Sequence, residues 1–297
     1  MNTMNEINSR TVNAPVMGGN ADRSIGAILV DAGRLRIEDA EVIMRLQRDK
    51  GLRFGDAAQQ LGLLTEADID FALACQFSYP YVARGQSALA EEIIAAYTPA
   101  APEVESLRAL RSQLMLRWFA ADSKRKTLAI VGTERQEGRS WLAANLAVVF
   151  SQLGERTLLI DADLRHPRQH TLFGLDNRMG LSVVLSDRGG LEVVQSIPDL
   201  PGLSLLPAGA LPPNPQELLG RPQFTLLLDQ LSDMFDVIII DTPSMTETAD
   251  AQTLAARAGG ALVVARRHLS RASRLRDSVD LLTQGGTHVV GCVMNEH

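Results

Sequence analysis

Residues 127–140 read Thr127-Leu-Ala-Ile-Val131-Gly132-Thr-Glu-Arg-Gln-Glu-Gly138-Arg139-Ser140, and a helical run from Trp141 to Leu153 follows directly. An apolar run, a short polar loop bounded by glycines and a helix start aim several backbone N–H groups at one point, where the helix dipole adds partial positive charge. Such a turn suits polyphosphate. Outward from it, short apolar runs alternate with helical stretches: Leu128–Val131, Thr157–Ile160, Leu203–Leu206, Val237–Ile240, Gly260–Ala265 and Val289–Met294. The runs are continuously apolar rather than alternating, which suits parallel strands covered on both faces. The fold class is therefore α/β, a mostly parallel sheet with helices on both faces, and ligands of such sheets bind at the carboxyl ends of the strands.

Against the phosphate-loop pattern G-x-x-x-x-G-K-[ST], Thr133 stands where the first glycine belongs and Arg139 where the lysine does. Two other strand ends carry acid. Leu158-Leu-Ile-Asp161-Ala-Asp163-Leu-Arg165 ends one strand with two carboxylates and a cation, and Val237-Ile-Ile-Ile-Asp241-Thr-Pro243 ends another with one carboxylate. Carboxylates there are costly unless they serve a cation, an N-cap or a proton transfer. For Asp163 or Asp241 alone, an N-cap accounts for the residue equally well. Three carboxylates and a Gly-Arg-Ser loop, all at strand ends of one sheet, point instead to a phosphate and cation site.

The 297 residues are 45% hydrophobic and 22% charged, an ordinary soluble composition whose length predicts about two domains. A net charge of −6 excludes a general nucleic-acid or membrane-surface binder, so any phosphate site is local. Cys75 and Cys292 are the only cysteines, which supports neither a disulfide framework nor a thiolate metal cluster and fits a reducing cytosol. Residues 1–22 read as a disordered leader, 23–97 as a helical repeat domain, 98–104 as a Pro-containing linker and 105–297 as the nucleotide-binding domain. No apolar stretch reaches the roughly 18 residues a membrane span needs, so attachment to a membrane is expected only through a partner.

Residues 24–76 contain an internal repeat. At a constant spacing of 29 residues Gly26 aligns with Gly55, Gly33 with Gly62, Leu35 with Leu64, Ala40 with Ile69, Met44 with Leu73 and Gln47 with Gln76. Two copies make a small pseudo-symmetric helical domain rather than a solenoid.

The three strand-end elements resemble the Walker A, Walker A′ (apolar triplet, D-x-D-x-R) and Walker B (apolar triplet, D-x-x-P) motifs of the bacterial tyrosine kinases of exopolysaccharide synthesis, within the MinD-type P-loop ATPases. Ser244 stands where that family's Walker B proline would fall. The resemblance covers Glu105 to the C-terminus and includes Gly180-Leu-Ser182, Leu206-Pro-Ala-Gly209, Pro213-Asn-Pro215 and Val290-Gly-Cys-Val-Met-Asn295. It implies ATP and Mg²⁺ as cofactors, with backbone amides of Gln136, Glu137, Gly138, Arg139 and Ser140 on the phosphates and Trp141 beside them. Arg139 would neutralise β/γ charge, Ser140, Asp161 and Asp241 would form the metal site, Asp161 or Asp163 would accept the tyrosine proton, and Asn295 would touch the adenine. Glu105, Arg108 and Arg111 match the family's E-x-x-R-x-x-R self-association motif, implying a homo-oligomer.

The implied partner is a membrane chain-length determinant, a polysaccharide co-polymerase, which would recruit a cytoplasmic protein to the inner face of the inner membrane. The family's tyrosine-rich tail has no counterpart after Tyr97, so the expected acceptor is a partner or one of Tyr79, Tyr81 and Tyr97. The alternative is a nucleotide-binding regulatory module without efficient transfer, since an arginine is a wide planar fork where the motif has a compact ammonium. The repeat resembles the MshEN-type domain of secretion and pilus ATPases, some of which bind cyclic di-GMP. That resemblance implies a second ligand site at Arg23, Gly26, Gly33, Gln47, Arg53, Gly55, Gly62 and Gln76, with a helical adaptor as the equally open reading.

Overall fold

A computed structural model describes residues 24–76, 82, 85, 87–122 and 124–296. The expected leader, Arg23, Tyr79 and Tyr81 lie outside the described residues. The chain divides into two compact units, Met1–Tyr79 and Pro80–His297.

The first unit holds α1 (Ile25–Asp31), α2 (Ile37–Lys50), α3 (Phe54–Gln60) and α4 (Glu66–Gln76). The repeat is exact in structure: α3 and α4 begin 29 residues after α1 and α2. Both short helices end in the same way, on Gly33 (φ 69°) and Gly62 (φ 66°), whose N–H groups donate to Val30 and Gln59 carbonyls at 3.0 and 2.9 Å. Only glycine takes that left-handed turn without cost. The helices pack across the copies, α1 on α4 and α2 on α3, around one core of Ile28, Leu29, Leu35, Ile43, Ala57, Ala58, Leu64 and Ala72.

The second unit opens with α5 (Ile94–Tyr97) and α6 (Pro102–Leu114), the latter continued by a π-helical turn over Met115–Phe119. Seven strands follow: β1 (Thr127–Gly132), β2 (Thr157–Asp161), β3 (Gln195–Ser196), β4 (Leu203–Leu206), β5 (Val237–Asp241), β6 (Gly260–Arg266) and β7 (His288–Asn295). Their order is β3-β4-β2-β5-β1-β6-β7. All neighbours are parallel except the short β3, which pairs antiparallel with β4 and was not expected from the sequence.

Both faces are covered, as continuous apolar strands require. On β1, Leu128 and Ile130 enter the core under α6 and α7 (Arg139–Ser151), whereas Ala129 and Val131 enter the opposite core under the helices Pro222–Met234 and Asp250–Ala258. Among the described residues no helix is long and apolar enough to cross a membrane.

The division between units falls earlier than the expected linker. Leu89, Ile93, Ala95 and Tyr97 are buried in the α/β core, and Pro102 is the first residue of α6 rather than part of a spacer. Proline is well placed there, since its missing N–H would have had no helical partner. Buried Asn145 of α7 fastens the segment: Oδ1 accepts from the Ala95 N–H, and Nδ2 donates to the Glu92 carbonyl, both at 3.0 Å. The Tyr97 hydroxyl donates to the Leu89 carbonyl at 2.6 Å in a buried setting, which corrects the expectation that it could serve as a phosphate acceptor.

Candidate active site

Strand β1 delivers the chain into the loop at Gly132, and α7 starts at Arg139. Between them Gln136 takes a left-handed backbone (φ 62°), as does Gly138, the N-cap of α7 (φ 94°). For a glutamine that conformation costs roughly 1–3 kcal/mol and persists only where surroundings enforce it. Here they do. Arg266 Nη1 donates to the Gln136 carbonyl at 3.0 Å, and Asn295 Nδ2 donates to the Glu137 carbonyl at 3.1 Å. The loop is strapped to the ends of β6 and β7.

Under the loop lies an ion pair. Glu137 is wholly buried, with Oε2 3.6 Å from Arg139 Nη1 and Oε1 accepting from Ser270 Oγ. The Arg139 guanidinium also donates from Nε to the Thr242 carbonyl at 3.2 Å and from Nη1 to the Glu134 carbonyl. A Cβ on Gly132 would lie 2.5 Å from the Glu137 carboxylate and 2.9 Å from the guanidinium, so glycine is needed where β1 ends. One edge of Arg139 is thus committed to the protein's own carbonyls and carboxylate. Its second amino group, Nη2, supplies the remaining donors.

Asp161 and Asp241 end adjacent parallel strands directly opposite each other in register, and both are buried. Asp161 Oδ2 accepts from the Arg168 and Gln169 N–H groups, both at 2.9 Å. Asp241 Oδ2 accepts from Gln169 Nε2 at 2.6 Å. The Oδ1 atom of each is buried without a hydrogen-bond partner. Burial, reinforced by the neighbouring Asp241 charge, pushes the Asp161 carboxyl well above the usual range. Burial pushes Asp241 up to about 6, against the hydrogen bonds of Gln169 and Ser140 and the charge of Arg139.

Two orphaned carboxylate oxygens beside Ser140 fit Mg²⁺, which binds through one or two carboxylates and takes its other ligands from phosphate and water. Among the described residues no three His, Cys, Asp or Glu side chains gather as a metal cage. The residues therefore suit a cation that arrives with a nucleotide rather than one the protein encloses alone.

Asp163 performs the ordinary turn-capping role, its Oδ1 accepting from the Arg165 and His166 N–H groups at 3.1 and 2.9 Å. It also lines an open cavity of about 360 Å³ with Arg135, Gly138, Ser140 and Arg168. A cavity of about 670 Å³ continues from Gln136 and Gly138 past Trp141 and Asn295 to Ile94 and Thr98. A polar chamber joined at Gly138 to a partly apolar one has room for phosphates and a base respectively.

The structure thus gathers Gln136, Gly138, Arg139, Ser140, Trp141, Asp161, Asp163, Asp241 and Asn295 around one loop. Sequence reasoning missed Gln169 and Asn145, which lie in no motif and whose roles exist only once distant segments meet. Glu105 pairs with Arg108 at 3.0 Å along α6, and Arg111 Nη1 donates to the Val149 carbonyl at 2.6 Å at the end of α7, so Arg111 makes a bond within its own subunit. In the first unit Gly26, Gln47 and Gln76 line one groove of about 650 Å³. Gly33 and Gly62 end helices instead, Gly55 packs against Ile69, and Arg53 is the N-cap residue of α3.

Residues 125–281 match the family model described as cellulose biosynthesis protein BcsQ. The chain is 37% identical over 194 residues to the tyrosine-protein kinase ptk of Acinetobacter johnsonii, covering 65% of this chain and 26% of that protein. Its structure is similar to the kinase domain of the Escherichia coli tyrosine kinase ETK, with a TM-score of 0.65 and 35% identity over 68% of this chain and 79% of that one. The BceF tyrosine kinase domain gives a TM-score of 0.62 and 33% identity, covering 68% and 81%. The chain spans about a quarter of the length of several curated tyrosine kinases it matches, the Ralstonia EpsB and Acinetobacter ptk proteins among them, and 83% of the putative tyrosine-protein kinase CapB of Staphylococcus aureus, to which it is 34% identical. With an α/β sheet of MinD-like P-loop type, a loop closed on Gly138 and Ser140, and this likeness to isolated kinase domains, the chain belongs to the bacterial tyrosine kinase family.

Proposed function

We propose that this protein is an ATP-dependent tyrosine kinase-like regulator of exopolysaccharide polymerisation, export and chain length. The observation that carries the reading is the pair Asp161 and Asp241, side by side at strand ends with an unpartnered oxygen each, next to the first turn of α7. Bound Mg²⁺ would neutralise phosphate charge and orient the β- and γ-oxygens. The chain's own part is to hold the phosphates on the N–H groups of residues 136–140, to add the Arg139 charge and to seat the base near Trp141 and Asn295.

Of the two candidates for the tyrosine proton, Asp163 is better placed, because it lines the open cavity whereas Asp161 is wholly buried. As the acceptor oxygen bonds to the γ-phosphorus, the bond to the ADP oxygen breaks and the proton passes to Asp163 Oδ2. The acceptor is a tyrosine on a membrane chain-length determinant, which also brings the protein to the inner membrane. Self-association is proposed for the α6 face bearing Glu105 and Arg108. For the first unit, the groove holding Gly26, Gln47 and Gln76 is where cyclic di-GMP would bind, and titration of the full chain with that dinucleotide tests it.

The deciding experiment is incubation with labelled ATP, Mg²⁺ and a tyrosine-bearing fragment of the membrane partner. Phosphotyrosine that is lost in Asp163→Asn supports the kinase. ATP binding by calorimetry with no label transferred, under conditions where the partner fragment binds, leaves a nucleotide-dependent module and overturns the transfer step.

A further inference from the structure

Gln169 belongs to no motif, yet it is the residue on which the site converges. It is wholly buried at the start of a short helix, Gln169–Leu172. Its backbone N–H donates to Asp161 Oδ2 at 2.9 Å. Its side-chain Nε2 donates to Asp241 Oδ2 at 2.6 Å and to the Ser140 carbonyl at 3.0 Å. One residue thereby ties the end of β2, the end of β5 and the first turn of α7.

The chemistry of an amide suits this position. Two carboxylates facing each other on adjacent strands repel, and each gains from a donor. A lysine or arginine would supply the donor together with a charge that competes with a cation for the same oxygens. A glutamine supplies the donor and no charge. Its bond engages only Oδ2 of Asp241, leaving Oδ1 of both aspartates and its own Oε1 buried and unpartnered.

We infer that Gln169 is a positioning residue for the metal–nucleotide site: it sets the Asp241 carboxylate and the Ser140 turn at fixed places relative to Asp161, so that one cation reaches all three elements. This rests on the nucleotide-site reading above. It acts through Asp241 and Ser140 and has no contact with the reacting atoms.

The test uses the full chain with Gln169→Met, which keeps the unbranched length and removes both donors. Gln169→Leu is a second variant should the first fail to fold. Mn²⁺ uptake in the presence of ADP is read by the loss of the free-ion paramagnetic resonance signal. ADP affinity without metal is read by a fluorescent analogue, and folding by thermal melting. The wild type is expected to bind Mn²⁺ with ADP. The variant is expected to bind the ion about 10–100-fold more weakly, the usual effect of removing an outer hydrogen bond to a metal ligand, with metal-free ADP affinity within about twofold.

Equal Mn²⁺ affinity in a folded variant overturns the positioning role and leaves the nucleotide site standing. Loss of metal-free ADP binding to the same extent as Mn²⁺ binding also overturns it, because the residue would then shape the loop as a whole. No Mn²⁺–ADP binding by the wild type itself overturns the nucleotide-site reading and this inference with it.

Discussion

The Glu137 carboxylate lies 3.6 Å from the Arg139 guanidinium inside the phosphate loop, the first residue wholly buried and the second nearly so. An arginine at this position is therefore not a larger copy of a lysine pointing at phosphate. It is half of an internal pair, and each half answers for the other.

Arg139→Met should leave Glu137 buried without a counter-charge and lower stability by about 3–5 kcal/mol, the usual penalty for breaking a buried pair from one side. Adding Glu137→Gln should return a substantial part of that loss. Urea unfolding of both single variants and the double variant measures the coupling, and simple additivity would show that the two side chains do not interact.

Gly132→Ala would press a methyl group onto the same pair, 2.5 Å from the carboxylate. The loop must shift to accept it, so nucleotide affinity should fall by at least about tenfold, while the sheet, whose β1 residues keep their neighbours, stays folded. Binding of a fluorescent nucleotide compared with far-ultraviolet circular dichroism separates the two effects.

Asn145→Ala removes the partners of the Ala95 N–H and the Glu92 carbonyl. The buried Ala95 N–H left unpaired costs about 1–3 kcal/mol, and the part-buried Glu92 carbonyl, which water can reach, adds less, so a total loss of about 1–4 kcal/mol is expected. Hydrogen exchange should quicken first at Ala95, since that amide loses its acceptor directly. Unchanged protection there would show that the clamp is not what holds the segment.

Asp236 should give the protein a pH-dependent increment of stability. Bidentate hydrogen bonding from Arg156, at 2.9 and 2.7 Å, holds its carboxyl down to about 2 against an ordinary value of 3.8. A depressed native value means the contribution is fully present above pH 4 and is lost as the pH falls from about 4 to 2. Both side chains are substantially exposed, so solvent screening limits the gain to about 1 kcal/mol or less. Melting of the wild type and Asp236→Asn across pH 2–6 should show curves that converge at the acid end.

The six long strands were legible because each is a continuous apolar run that both faces of a covered sheet demand, and β1 also announced itself by the loop it feeds. Strand β3 was not, since two residues, Gln195 and Ser196, carry no pattern and pair only because β4 lies beside them. The stretch from Leu89 to Tyr97 resembled the end of a helical domain in composition, but burial under α7 through Asn145 decided otherwise. Asp161, Asp163 and Asp241 were readable because carboxylates at apolar strand ends are anomalous. Gln169 is an unremarkable residue in a polar loop until the fold brings two aspartates to it. Glu137 entered the sequence reading only through its backbone amide in the loop, and it is the burial of its side chain that shows it balancing Arg139.

The core of the first unit carries a lesson about its origin in duplication. Where one copy places Ile28, Leu29 and Ile43, the other places Ala57, Ala58 and Ala72, and all six side chains are out of solvent. Bulk on one side is matched by space on the other, and α1 and α2 lean on the opposite copy. The halves have become lock and key: swapping either for a second version of its twin would crowd the interior or hollow it, so they now persist or perish as one object.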